Sequence, residues 1–228
     1  MMHCIIGSNI MDRLVKCPGS LKPGKGSLES YHKSGNKYAS TYIENRESVK
    51  RGIAIDGLAK DIILAKAGQA ERYNSKYTNM NLLDDSYTMP AAEWAKHMLK
   101  IKQKFGWGSI DPCYNVSKYI ENLPNCEFEV SFNPDFVALP YDEAGVAFVG
   151  DLSTSNNDCR NKMFQVICCA VAVIEKHKNI TRCVCEVFNP ITRKVQIARL
   201  NRDELEAYRD DIIVPALQEV RNALSCES

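Results

Sequence analysis

Two short apolar runs, each with an aspartate at its edge, constrain this chain more than any other feature: Asn133-Pro134-Asp135-Phe136-Val137-Ala138-Leu139 and Val146-Ala147-Phe148-Val149-Gly150-Asp151-Leu152-Ser153. Runs of this length, separated by turn residues, predict neighbouring strands, with Tyr141 to Gly145 as a hairpin connection. If Phe136, Val137, Phe148 and Val149 are core, the two carboxylates lie close together at a sheet end. Their mutual repulsion then calls for a cation or a raised pKa. A divalent metal satisfies it most simply, because hard cations take carboxylate oxygens.

The other elements follow from punctuation and period. Ser8 to Val15 reads as a short capped helix closed by Cys17-Pro18-Gly19-Ser20, and a Gly/Lys/Ser-rich loop runs on to about Gly35. A long helix, or two joined, is predicted from Lys37 to about Ala67, with Ile53, Leu58, Ile62 and Ile63 on the buried side. Gln69 to Ser86 reads as loop, and Met89-Pro90 opens a helix to about Lys104. Cys126 to Phe132 is a further strand, Asn161 to His177 a helix, and Arg182 to Phe188 with Lys194 to Leu200 a hairpin across Asn189-Pro190. Asn201 with Glu204 three residues on forms a capping-box pattern for a C-terminal helix to about Leu224. The order is helices, three strands, helix, two strands, helix, which fits an α/β fold built on a small mixed sheet.

A chain of 228 residues with 45% hydrophobic composition suits one domain, residues 1–228. The longest nearly uncharged apolar run, Met163 to Ile174, is too short for a bilayer, so no membrane partner is expected. The start of the sequence lacks the basic segment and long apolar stretch of a secretory signal, and a cytoplasmic location is expected. The ten cysteines are scattered with no Cys-x-x-Cys pair, which favours reduced core thiols. His3, His32, His97 and His177 lie at no metal-binding spacing.

The net charge of +1 excludes attraction to a polyanion by the overall field. Charge is uneven along the chain, however: through Arg51 nine basic residues face four acidic ones. Lys16, Lys22, Lys25, Lys33 and Lys37 are interleaved with Tyr31, Tyr38 and Tyr42, the mixture of cations for phosphate and aromatic faces for bases that a single-strand groove uses. A solvated loop with inward tyrosines explains the same pattern.

The two aspartates, Gln165 and the Arg51-Gly52-Ile53-Ala54-Ile55-Asp56-Gly57 segment together resemble the PD-(D/E)xK nuclease superfamily, in its RecB/Cas4-like exonuclease branch. Cys17 to Ser20 is similar to a segment of phage-encoded members. The resemblance implies a restriction-endonuclease-like core in residues 120–228, with a helical lobe in residues 1–110. It implies metal ligands at Asp135, Asp151 and Asp56, the last replacing the histidine of a Gly-Thr-x-x-His motif, for Mg²⁺ or Mn²⁺. It implies a DNA contact at Gln165, the first residue of a Gln-x-x-x-Tyr motif whose tyrosine is absent. Some relatives hold an iron-sulfur cluster on one early and three clustered late cysteines; Cys17, Cys183, Cys185 and Cys226 do not reproduce that spacing, and no cluster is expected.

The third family motif, Asp/Glu-x-Lys, here ends in Ser153. A neutral hydroxyl supplies no charge at the phosphate, a loss on the order of a hundredfold or more in rate. The resulting expectation is a single-stranded DNA-binding protein with a decayed hydrolytic centre, serving a phage polymerase or another replication or transcription protein in the host cytoplasm. The alternative is an active Mg²⁺- or Mn²⁺-dependent DNA exonuclease in which Arg160 or Lys162, at the start of the following helix, brings its charge to the vacant position.

Overall fold

The computed structural model describes residues 2–7, 47–66, 85–105, 109–111, 117–124, 126–132, 134–139, 145–154 and 160–225. Their centre is a five-stranded mixed sheet in the order β2-β5-β6-β7-β8, formed by β2 (Ser109–Asp111), β5 (Phe136–Leu139), β6 (Val146–Leu152), β7 (Arg182–Asn189) and β8 (Lys194–Asn201). Only β6 and β7 run parallel, and the helix α3 (Arg160–Lys176) lies between them in sequence. A parallel pair needs a crossover of that kind, whereas the antiparallel neighbours need only turns.

Strands β5, β6 and β7 are mostly apolar and buried because both faces of the sheet are covered, Asp151 and Glu186 being the buried charged exceptions. Alternate residues go to opposite sides: Val137, Ala147, Val149, Cys183, Cys185 and Val187 join one buried cluster, and Phe136, Ala138, Phe148, Leu152, Val184 and Phe188 join the other. The second face carries α1 (Glu47–Lys66) and α2 (Asp85–Phe105), through Ile55, Ala59, Ile63, Trp94 and Met98. Ile53 is exposed on α1, so the buried stripe runs through Ile55 instead. The first face carries α3, whose Cys168 to Ile174 are all buried.

That continuous burial has a cause absent from the predicted layout. A second sheet, β1-β4-β3, packs on the far side of α3, with β1 (Met2–Gly7), β3 (Ser117–Leu123) and β4 (Cys126–Phe132). Cys126, Phe128 and Val130 enter the same cluster as α3, which is therefore enclosed between two sheets and apolar nearly all round. Cys126 to Phe132 is a strand as expected, but it belongs to this second sheet. The segment at the chain's beginning pairs parallel with it, Met2 opposite Cys126 through Gly7 opposite Ser131.

Two helix boundaries also differ from expectation. The helix α2 begins at Asp85, placing Pro90 inside it. Proline cannot donate to the Ser86 carbonyl four residues back, and Arg51 Nη2 takes that carbonyl at 3.1 Å instead. At the C-terminus, α4 (Arg202–Tyr208) and α5 (Val214–Ser225) are joined by a widened turn over Arg209–Ile213, where the Val214 amide donates to Arg209 five residues back. The capping box at Asn201 and Glu204 forms in both directions, at 2.9 and 2.8 Å. The predicted helix at Ser8 to Val15 and the stretch Lys37 to Arg46 lie outside the described residues. No helix among the described residues is long and apolar enough to cross a membrane.

Candidate functional site

Strand register brings the two aspartates together. Phe136 pairs with Gly150 across β5 and β6, so the next opposing pair, just past the end of β5, is Asp135 and Asp151. Their carboxyl groups share a hydrogen bond. Asp135 Oδ2 also accepts the Leu152 amide at 2.6 Å, which pins its rotamer against the neighbouring strand. Ser153 continues β6, buried, its amide donating to the Phe188 carbonyl at 2.9 Å.

Into this end of the sheet comes Lys162, from the first turn of α3. Its ammonium donates to Asp151 Oδ1 at 3.2 Å, to Asp151 Oδ2 at 3.3 Å and to the Leu152 carbonyl at 2.5 Å. A positive charge therefore stands at the acidic pair although Ser153 supplies none. Gln165 is partly buried one turn further along α3, on the same side as Lys162 by the i, i+3 relation. Arg160 begins α3, and its side chain is outside the described residues.

A second charged group approaches from the opposite layer. Asp56 on α1 takes the Lys60 ammonium at 2.5 Å and the Trp94 indole N–H at 3.3 Å. Burial, and next the charge of Asp135, raise the Asp56 carboxyl to about 7 despite the ammonium beside it. Asp151 is likewise pushed well up by burial and by Asp135. Burial also pushes Asp135 upward, but the hydrogen bond from Asp151, the Lys162 and Lys60 charges and the Leu152 amide outweigh it and hold Asp135 below the ordinary carboxylate range. Burial opposes charge on Lys162, and Asp151 and Asp135 more than compensate, so its ammonium is held charged. The result is one carboxylate kept ionised, one that favours its proton, and a fixed cation between sheet and helix.

The chemistry of these donors suits a hard divalent ion. Asp135, Asp151 and the Leu152 carbonyl present oxygen only, and an ammonium already stands on the Asp151 and Leu152 oxygens. Among the described residues no three His, Cys, Asp or Glu side chains form a ready-made cage, and the Asp56 oxygens are engaged with Lys60 and Trp94.

Of the residues singled out in the sequence, Asp56, Asp135, Asp151, Lys162 and Gln165 are thus placed by the structure around one end of the main sheet. Lys16, Lys22, Lys25, Tyr31, Lys33 and Lys37 lie outside the described residues, as do Cys17 and Cys226. Cys126, Cys168, Cys169, Cys183 and Cys185 are buried in the apolar core, and burial raises the Cys169, Cys183 and Cys185 thiols. Sequence reading misses Lys60, whose only signal is its i+4 spacing from Asp56. It also misses His97: its Nε2 pairs with the buried Glu186 of β7, and its ring stacks on Phe188 at 4.1 Å.

No protein-family model matches the chain, and no curated protein matches it. Among solved structures it is similar to a candidate exonuclease from Eubacterium rectale, at 11% identity and TM-score 0.48 over 92% of this chain and 80% of that one. It is also similar to the protein SSO0001, at 8% identity and TM-score 0.34 over 76% and 75%. Likeness at that level describes neither chemistry nor partners.

Proposed function

We propose that this chain is a DNA-cleaving phosphodiesterase of the RecB/Cas4-like kind, with Asp135, Asp151 and the Leu152 carbonyl holding Mg²⁺ or Mn²⁺ and Lys162 standing in for the lysine that Ser153 displaced. The observation that carries this reading is the Lys162 ammonium on Asp151 and Leu152. A bound divalent ion supplies Lewis-acid neutralisation of the phosphate's charge. Lys162 offsets the buried carboxylates in this structure; with an ion held there, its ammonium would be available to the phosphoryl oxygens, where fixed charge in a desolvated site is most effective. Asp151, which favours its proton here, would hold such an ion as a carboxylate, while Asp135, already ionised, accepts the Leu152 amide.

A second reading rests on the same ion pair. With Lys162 engaged on both Asp151 oxygens and a carbonyl, the centre is neutralised from within, which suits a protein that holds single-stranded DNA without cutting it. The deciding experiment is digestion of labelled single- and double-stranded DNA with Mg²⁺ and with Mn²⁺, run for the wild type, Asp151→Ala and Lys162→Met. Cleavage by the wild type that both substitutions remove supports the hydrolase. Intact DNA in every tube, with binding retained, supports the non-cutting reading.

A further inference from the structure

The main sheet has one strip that α1 and α2 leave uncovered. Ala198 and Leu200 of β8 pack into the α3 cluster, so by alternation Val195, Ile197 and Arg199 point to the opposite face. There they lie beyond Phe188, Glu186 and Val184, their partners on β7. Those β7 residues are buried, whereas Val195 is 41% and Ile197 45% exposed. Ile191, in the turn between the strands, is 39% exposed.

The walls of this strip are basic. No acidic residue occurs from Val187 to Asn201, a stretch that contains Arg193, Lys194 and Arg199. Across the strip lies α2, located by two pairings: Glu93 accepts from Arg193 at 3.4 Å, and His97 meets Glu186. The same stripe of α2 continues, at i+3 and i+7 from Glu93, through Lys96 and Lys100, both exposed. An apolar floor one strand wide, Val195 and Ile197, thus runs beside Lys96 and Lys100 of α2 and continues along β8 into Arg199.

We infer that this strip is the track of a single polynucleotide strand, with phosphates on the lysines and arginines and sugar and base faces on Val195 and Ile197. Charge complementarity selects a polyanion, and the exposed aliphatic floor selects one with unpaired bases, since a duplex offers mainly phosphate at its surface. Position supports the assignment. β6 and β7 are parallel and Leu152 pairs with Phe188, so the β7–β8 turn lies at the same sheet end as Asp151. Two strand spacings, roughly 10 Å, separate the Asp151 backbone from the start of β8; the Asp151 side chain turns to the α3 face, so a strand on this track passes over the sheet end to reach it. The inference rests on the proposed DNA substrate, and identifies which surface leads that substrate to the acidic pair.

The test is fluorescence anisotropy of a labelled oligothymidylate with the full chain in EDTA, where hydrolysis does not interfere. The variants are Lys100→Glu/Arg199→Glu and, separately, Val195→Asp/Ile197→Asp, with circular dichroism confirming that these exposed substitutions leave the fold intact. Charge reversal is expected to weaken binding tenfold or more and to flatten the log–log salt dependence by about one unit of slope for each phosphate that no longer meets a cation. The aspartate pair on the floor is expected to weaken single-strand binding more than duplex binding. Variants that bind with the wild-type affinity and slope overturn the inference, as does a wild type that ignores the oligonucleotide. Weakened binding in the variants, alongside a wild type that never cuts, upholds the track and refutes only the hydrolytic reading. Cutting and binding unchanged in the variants refutes the track alone.

Discussion

Gly150 faces Phe136 across β5 and β6 so closely that a Cβ on the glycine would lie 2.3 Å from the ring's Cε1. The ring fills the space a side chain would take, and stacks in turn on Phe148 at 5.1 Å and edge-on against Trp94 at 5.3 Å. Aromatic packing on one face thereby fixes the register that sets Asp135 opposite Asp151 on the other. Gly150→Ala is expected to cost about 1–3 kcal/mol as an overpacked core position. It is also expected to reduce Mn²⁺ affinity, because the aspartates are displaced with the strands. Thermal melts with and without Mn²⁺ measure both, and an unchanged melting point together with an unchanged metal-induced shift would contradict the argument.

Lys162 is expected to matter for rate beyond its share in stability. Lys162→Met is expected to lower Mn²⁺-dependent cleavage by on the order of a hundredfold or more, the scale of removing one preorganised charge. Lys162→Arg retains charge at the end of a longer, forked side chain, and an intermediate rate is expected. Single-turnover cleavage at saturating metal provides the readout. Equal rates for Met and wild type would remove Lys162 from the mechanism.

Asp56 links stability to pH in the sense opposite to most carboxyls. Its folded pKa of about 7 lies above the unfolded value of 3.8, so the folded state binds the proton more tightly. The stability this contributes is fully present below the unfolded value and is lost as pH rises through about 7, a swing of up to about 4 kcal/mol. Asp56→Asn removes the titration. Melting points measured in EDTA from about pH 4 to about pH 8 should shift in favour of the variant as pH rises; a gap that stays constant would show that Asp56 titrates normally.

Arg202 closes the C-terminal end of α3. Its guanidinium donates to the carbonyls of Ile174, His177, Lys178 and Ile180, at a helix end and following turn where backbone donors run short. Arg202→Ala is expected to cost about 2 kcal/mol, or roughly 4–8 °C in a chain of this size, leaving cleavage per folded molecule unchanged. Differential scanning fluorimetry checks the first part and activity normalised to folded protein the second.

Four of the five strands of the main sheet were legible in the sequence because their information is local; β2, three residues long, was not read. Strands β5 to β8 read as apolar runs bounded by turn residues, and Asn201 with Glu204 announces the helix after β8 within four residues. Asp135 and Asp151 were legible for the same reason, each lying at the edge of its own run. The second sheet was not, since β1 is six residues whose partner lies over a hundred positions away, and nothing in either strand specifies the other. His97 and Glu186 illustrate the same limit at 89 residues' separation. Lys162 was legible as a candidate only. A basic residue in a first helical turn points toward sheet or solvent according to the phase at which the helix starts, and only the enclosure of α3 between two sheets sets that phase.

That enclosure makes angle, rather than distance along the chain, the address of the cation at the acidic pair. Each residue of an α-helix turns the next by about 100°. One extra residue placed between Lys162 and Val166 would leave the apolar body of α3 seated while swinging the ammonium a quarter-turn or more off target. A scan for a basic residue two places after the second aspartate passes over such a chain; a scan for one at the right azimuth on the crossover helix finds it.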